Sequence, residues 1–351
     1  MRSVITGTGI GVPKNVVKNE LLARIMDTSD EWIRTRSGIE ERRYVEPGDG
    51  STALGMIAAA QAMEAAGVGP AHIDAIIFAT MTPDYLFPGN GPLVQARMGF
   101  GNIPTFDIRQ QCSGFLYALD LADSLIRSGK FRRLLVIGGD VHTPFMPWQN
   151  GWDVTIGRGD GGVTSAQYEQ NTAIRDRTVL FGDGAGAAIV EGREGKQGFL
   201  ASKLFSDGSN IEALYTPGAG FRRRPYVDHA QIDAGEILPV MEGRAVFKEA
   251  VTRMPDAVRQ VCAEAGVAVE SLDRVLVHQA NLRIIEGVAK ALGLPPEKVP
   301  HNIERYGNTT AGTLPILYHE CVRDGSIEPG MLVCFTALGS GLHWGAALYR
   351  A

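Results

Sequence analysis

The chain holds 351 residues and 37.7 kDa, enough for about two domains or for one large fold built of two similar halves. Hydrophobic residues make up 44% and charged residues 21%, and the 43 glycines follow no Gly-X-Y period, which excludes a disordered chain, a coiled coil and collagen. A formal charge of -5 and a pI of about 5.9 give no whole-molecule attraction to nucleic acid or anionic membrane.

In chain order, MRSVITGTGI reads as a strand entering a glycine turn, without the apolar run or cleavage site of a secretory signal. No apolar stretch reaches the roughly 18 residues of a membrane span, so a cytoplasmic location is expected. GTGIG at 7–11 is no dinucleotide fingerprint, because Val12-Pro13-Lys14-Asn15 follow where a helix is needed. Residues 64–80 and 263–280 share one design: aligning Gly67 with Gly266, an offset of 199, brings Asp74 onto Asp273 and Ile76-Ile77-Phe78 onto Val275-Leu276-Val277. Each predicts a helix closed by a Gly C-cap and then a strand buried on both faces. Pro104 stands eight residues before Cys112, and Pro300 eight before Asn308. Amphipathic helices follow in both places, and strands at 134–140 and 331–341 close each half. On this spacing Cys112 and Asn308 are equivalent positions of two pseudo-twofold-related halves. Strand–helix alternation repeated twice predicts a duplicated α/β unit with mostly parallel sheets, divided into 1–190 and 191–351. FGDGAGAAIV at 181–190 lacks the Lys-Ser/Thr of a phosphate loop and is expected to serve close backbone packing. The irregular stretch from about 142 to 180 reads as a lid, an interface arm or an insertion. A second one, Tyr215 to Ile232 with Arg222-Arg223-Arg224, looks similar.

The four cysteines show no CxxC spacing, and neither a zinc site nor a disulfide framework is expected. A lone buried cysteine usually only fills space. Cys112, however, stands at a predicted helix N-terminus, where unpaired N–H groups and the helix dipole favour thiolate. His278 ends the buried strand of the second half, at the strand end where open α/β sheets bind ligands. Taken singly, His278 fits a core histidine and Asn308 an N-cap for a helix beginning near Thr309. Their joint occurrence with Cys112 points to catalysis.

Asp27-Thr28-Ser29-Asp30-Glu31-Trp32-Ile33 with Arg36-Ser37-Gly38-Ile39 closely resembles the N-terminal signature of the β-ketoacyl-acyl carrier protein synthase III family of thiolase-fold condensing enzymes. The blocks around Cys112-Ser113-Gly114-Phe115, Phe181 to Gly186, His278-Gln279-Ala280-Asn281 and Tyr306-Gly307-Asn308-Thr309 agree in order. The resemblance implies a thiolase-like fold, with duplicated βαβαβ halves in a five-layer α/β/α/β/α sandwich, assembled as a homodimer. It implies that Phe87 crosses the dimer interface into the partner's acyl pocket, that Thr28, Trp32 and Arg36 bind coenzyme A, and that Arg244, Lys248 and Arg283, with Arg253 nearby, face the acidic carrier protein. Arg175 and Arg177 are both candidates for the arginine that helps sandwich adenine. The turn Leu338-Gly339-Ser340-Gly341-Leu342 replaces a glycine run typical of the family, which points to an unusual acyl donor.

The implied reaction is decarboxylative Claisen condensation, with neither metal nor cofactor. Cys112 attacks an acyl-CoA thioester, and the backbone N–H groups of Cys112 and Ser340 hold the oxyanion. His278 Nε2 and the Asn308 amide then donate to the malonyl-carrier thioester, stabilising the enolate released by loss of CO2. Two other readings compete: acyl transfer to another acceptor without decarboxylation, and a non-catalytic partner subunit.

Overall fold

A computed structural model describes residues 1–146 and 151–351. The N-terminal half contributes β1 (Arg2–Gly11), a small hairpin of β2 (Asn15–Lys18) and β3 (Glu41–Tyr44), then β4 (Ala75–Ala79), β5 (Thr105–Ile108), β6 (Arg133–Asp140) and β7 (Gly184–Arg193). The C-terminal half contributes β8 (Gly198–Ser206), the two-residue pair β9 (Leu214–Tyr215) and β10 (Val240–Met241), and then β11 (Arg274–Val277), β12 (Leu332–Gly339) and β13 (His343–Arg350). One sheet runs β1-β7-β6-β4-β5 and the other β8-β13-β12-β11, so the same order recurs. The strands therefore part between Arg193 and Gly198.

Neither sheet is mostly parallel. β5, β4 and β6 run parallel, as do β11 and β12, but β6-β7-β1 and β12-β13-β8 are antiparallel. In the C-terminal half the reversal is forced by the short Ser340–Leu342 turn, since a tight hairpin can join only antiparallel strands.

Five layers result. The helix Ser51–Ala66 covers the outer face of the first sheet, and it does so closely because Gly7, Gly9 and Gly11 lie beneath it. A Cβ at those positions would sit 2.2, 2.2 and 2.0 Å from the carbonyl oxygens of Ala62, Ala58 and Leu54, which explains GTGIG as packing. Helices Gly114–Arg127 and Thr313–Arg323 form the central layer between the sheets, where Phe115, Leu119, Leu314 and Tyr318 meet Val136 and Phe335. Each side chain of this size contributes on the order of 1.5–3 kcal/mol on burial. Helices Gly243–Glu264 and Leu282–Leu292 cover the second sheet.

The repeat keeps a constant offset through most of each half. The 199 positions that separate Gly67 from Gly266 also carry β4 onto β11, β6 onto β12, and the start of the Gly114–Arg127 helix onto Thr313. Asp74 and Asp273 even repeat their bonds, each donating its N–H to the carbonyl of the first residue of the neighbouring parallel strand, Arg133 of β6 or Leu332 of β12. This offset places Cys112 on Ala311, not on Asn308. The matched prolines misled because the connections before them differ in length between the halves, as the helices Gly91–Arg97 and Leu282–Leu292 show.

The 142–180 stretch is more ordered in its described part than a bare loop. It holds helices Trp152–Thr155, Ser165–Ala173 and Arg175–Thr178, which meet the N-terminal segment through Trp152 stacked on Tyr44, through Asn171 Nδ2 to Ile25 O (2.9 Å) and Asp27 N to Thr172 Oγ1 (2.9 Å), and through Arg175 to Asp27 Oδ2 (2.9 Å). Residues 147–150 of that stretch lie outside the described residues.

Candidate active site

Cys112, His278 and Asn308 converge on one cavity of about 500 Å³. Cys112 sits in a 3-10 turn, Gln111–Ser113, directly before the Gly114–Arg127 helix. His278 follows β11, and its N–H donates to Thr336 O of β12 (2.9 Å), so sheet pairing continues up to it. Asn308 is held to the 180–182 segment by Asn308 N to Leu180 O (2.8 Å) and Gly182 N to Asn308 O (3.1 Å). Its Oδ1 accepts from Thr310 N (2.8 Å), which leaves Nδ2 as the free donor end. Asn308 is therefore not a helix N-cap: its bond to Thr310 N closes a local turn, the 3-10 turn Thr310–Gly312 is capped at Thr309 without a side-chain bond, and the helix proper begins at Thr313 behind Gly312.

Two turns of equal offset face each other here. Gln111 and Thr310 both have positive φ, 50° and 48°, and for a β-branched threonine that conformation costs on the order of 1–3 kcal/mol. Buried Asp140, at the end of β6, holds the second turn: its Oδ2 accepts from Thr310 Oγ1 and from Ala311 N (3.1 Å). Its Oδ1 accepts from Thr80 Oγ1, Met81 N, Thr82 N and Thr82 Oγ1. The equivalent strand-end residue in the other half is Gly339. A Cβ there would lie 2.9 Å from Cys112 N and 3.0 Å from Ser113 N, so no carboxylate can stand where Asp140 stands in its copy. The amide that meets the Asp140 carboxylate in one half thus meets no carboxylate from the equivalent strand end in the other. Ser340 follows Gly339 in the same turn, and its Oγ donates to Leu214 O.

The charge states differ from those expected. Burial, with Asp140 adding to it, pushes the Cys112 thiol up to about 12, against the helix-terminus effect. Burial lowers His278 to about 3. At rest the pair is a neutral thiol and a neutral imidazole. His278 Nδ1 lies 2.7 Å from Thr313 Oγ1, and that hydroxyl donates its one proton to Thr310 O (2.9 Å). Both contacts are satisfied only if Nδ1 carries the imidazole proton. Nε2 is then an acceptor, and the donation expected of it requires that it first gain a proton.

The cavity mouth carries Trp32, Arg36, Arg244 and Arg283. Arg36 Cζ lies 4.4 Å from the Trp32 ring centroid and Arg175 Cζ 4.9 Å, which separates Arg175 from Arg177, whose NH1 donates to Pro239 O. Thr28 does not line the cavity, and its buried hydroxyl has no partner among the described residues. Lys248 lies one helical turn beyond Arg244, exposed and outside the lining. Arg283 is at the mouth but also donates to Thr35 O (2.6 Å), tying the two halves together. Arg253 bonds Asp207 (2.8 Å) and covers Trp344 at 4.1 Å, so it is committed to the fold. Phe87 is 77% exposed and does not line this cavity.

Sequence reasoning missed Asp140, Thr310 and Thr313. The constant 199 offset, carried past Gly266, would have drawn attention to the Thr310–Thr313 turn.

A duplicated five-layer α/β/α/β/α sandwich with a cysteine, a histidine and an asparagine at the join of its halves defines a thiolase-fold condensing enzyme. The family model described as 3-oxoacyl-[acyl-carrier-protein (ACP)] synthase III matches residues 106–208, and the one for its C-terminal part matches residues 262–351. The β-ketoacyl-[acyl-carrier-protein] synthase III of Aquifex aeolicus is 40% identical over 350 residues, covering 100% of both chains. That of Erythrobacter litoralis is 40% identical over 353 residues, covering 100% of this chain and 99% of its own. The crystal structure of the Aquifex aeolicus enzyme superposes with a TM-score of 0.84 over 99% of this chain and 100% of that one. The chain belongs to the β-ketoacyl-acyl carrier protein synthase III family.

Proposed function

We propose that the protein condenses an acyl-CoA primer with malonyl-acyl carrier protein, through an acyl group on Cys112 and with loss of CO2. The observation that carries this reading is the cavity that joins Cys112, His278 and the donor end of Asn308 beneath a mouth of stacked Trp32 and arginines. Cys112 passes its proton to His278 Nε2 as its sulfur attacks the thioester carbon. The Cys112 and Ser340 amides hold the tetrahedral oxyanion, and coenzyme A leaves as its thiolate. Imidazolium is costly in this buried site and forms opposite an anion, first the oxyanion and then the incoming malonyl carboxylate. The malonyl C–C bond breaks, CO2 departs, and its electrons move into the thioester as an enolate held by Asn308 Nδ2 and His278 Nε2–H. The enolate carbon attacks the acyl carbonyl, and Cys112 leaves as thiolate and recovers its proton from His278. One proton thus shuttles between the two side chains through a full cycle.

Trp32, with Arg36 and Arg175 against its ring, offers a flat cationic clamp for adenine and phosphate. Arg244 and Lys248, exposed one turn apart on one helix and without an ion pair among the described residues, suit an acidic carrier. Phe87 with exposed Tyr85 and Leu86 can reach an acyl pocket only in a second copy, and β5 ends its sheet with one side unpaired, so a homodimer is proposed as well. Incubation with a panel of acyl-CoAs, followed by intact mass and then by malonyl-carrier protein with CO2 detection, tests the reading. The expected result is one acyl mass on Cys112 and then CO2. No acylation would leave a non-catalytic subunit, and acylation without CO2 a transferase to another acceptor.

A further inference from the structure

Catalysis asks two different things of His278 and Asn308: an imidazole that starts as an acceptor at Nε2, and an amide turned with Nδ2 toward the chamber. Both orientations trace to one residue that does not line the cavity. Thr310 N donates to Asn308 Oδ1 (2.8 Å), and Thr310 O accepts from Thr313 Oγ1 (2.9 Å), which in turn accepts from His278 Nδ1 (2.7 Å). Thr310 is held in its positive-φ conformation by its own hydroxyl on Asp140 Oδ2, beside Ala311 N on the same oxygen. A titratable neighbour, His142, has its Nε2 3.4 Å from Thr310 Oγ1, and Cys112 is near enough to Asp140 to feel its charge. Thr310, Thr313, Asp140 and His142 are all buried, so no water competes for these bonds.

We propose that Thr310, pinned by Asp140, is the positioning residue for both polar catalytic groups, and that it acts on His278 through Thr313 by fixing the Nδ1–H tautomer. The relay is directional, because a carbonyl only accepts. The Thr313 hydroxyl therefore has no proton left for Nδ1, and the imidazole must supply one. Thr313→Val keeps the shape of the side chain but removes that acceptor, and Nδ1–H would then be buried without a partner. The imidazole escapes by moving its proton to Nε2, where it faces the chamber and blocks acceptance from Cys112.

The test reads the tautomer first and activity second. Protein labelled with ¹⁵N in the histidine rings, with His278 assigned by comparison with His278→Gln, gives the protonated nitrogen directly without any substrate. Wild type and Thr313→Ser should show Nδ1–H, and Thr313→Val should show Nε2–H. In the same variants acylation should slow by about 10²-fold in Thr313→Val, at the low end of what a general base contributes, and recover in Thr313→Ser. The mechanistic use of the tautomer rests on the condensing reading, but the ring spectrum does not, so the two fail separately. Wild-type His278 found as Nε2–H would overturn the proposal even if Thr313→Val did not fold, and so would a folded Thr313→Val that kept Nδ1–H.

Discussion

The turns at Gln111–Gly114 and Thr310–Thr313 are copies of one another, and the difference between them is the active site. Each begins with a residue at positive φ, each precedes a central helix, and each presents a backbone N–H to the end of a strand from β6 or β12. In the second copy the strand supplies Asp140, whose carboxylate takes the Ala311 amide. In the first the strand supplies Gly339, and the Cys112 amide faces a position with no room for a side chain. One copy is completed by its own carboxylate and becomes a scaffold. The other has no such carboxylate and carries Cys112, the proposed nucleophile. Duplication thus supplies the same turn twice, and a single glycine decides which amide stays open for the proposed oxyanion.

Breaking the comparison at the nucleophile gives the largest effect. Cys112→Ser is expected to abolish acylation with the fold intact, because a hydroxyl is far less acidic than even this raised thiol. Moving the thiol to the copied turn, Cys112→Ala with Ala311→Cys, should recover none, since the amide beside it is occupied by Asp140. Any acyl mass on that double variant in intact-mass spectra would show the turns to be interchangeable.

His278→Ala comes next. The base and the second-step donor are the same atom, so both acylation and CO2 release should fall by about 10²-fold to 10⁴-fold. Single-turnover acylation at the wild-type rate would restrict His278 to the enolate step.

A smaller effect sharpens the scaffold side. From pH 6.5 down to about 4 the unfolded chain takes up protons on His142 and His278, which burial holds at about 4 and about 3 in the native protein. Each histidine therefore lowers unfolding free energy by at most about 1.4 kcal/mol per pH unit as pH falls through that window. Asp183, raised by burial to about 6, takes its proton first in the native state and opposes them below that pH. Urea unfolding at stepped pH should show stability falling toward acid in wild type and less steeply between pH 6 and 4 in His278→Gln, where His142, His319 and His343, all lowered by burial, still contribute to the fall. An unchanged slope would mean that native His278 accepts a proton near its ordinary pKa. Smallest of all, Arg244→Glu with Lys248→Glu should raise the KM for malonyl-carrier protein several-fold while sparing acylation by small acyl-CoAs. This effect should shrink above about 0.15 M salt. Equal loss of both steps would place coenzyme A on those residues.

Much of this was legible in the sequence, and the failures have physical causes. Glycine caps and unbroken apolar strands announced the duplication because β4 and β11 are buried on both faces, a condition that leaves a pattern in sequence. Cys112, His278 and Asn308 carry chemistry in their side chains and stood out for that reason. Their geometry did not, since the prolines used to match Cys112 with Asn308 follow connections of unequal length. Thr310 and Thr313 act through a carbonyl, an amide and a hydroxyl, groups that nearly every residue or many residues own, so composition gives them no mark. Arg253 looked like a docking charge because a sequence cannot show that Trp344 and Asp207 already hold it. Burial likewise overrode the local helix-terminus signal at Cys112.

The central claim is the division of labour between the two turns, and one time course tests it most directly. Intact mass is followed after mixing with acyl-CoA, and CO2 after adding malonyl-carrier protein, for wild type, Gly339→Ala and Asn308→Ala. Gly339→Ala places a Cβ against the Cys112 amide and should slow the gain of acyl mass by about 10²-fold to 10³-fold, the usual loss for one oxyanion donor. Asn308→Ala should gain the acyl mass and then fail to release CO2. Acylation of a folded Gly339→Ala at the wild-type rate, or CO2 from Asn308→Ala at the wild-type rate, would contradict the account.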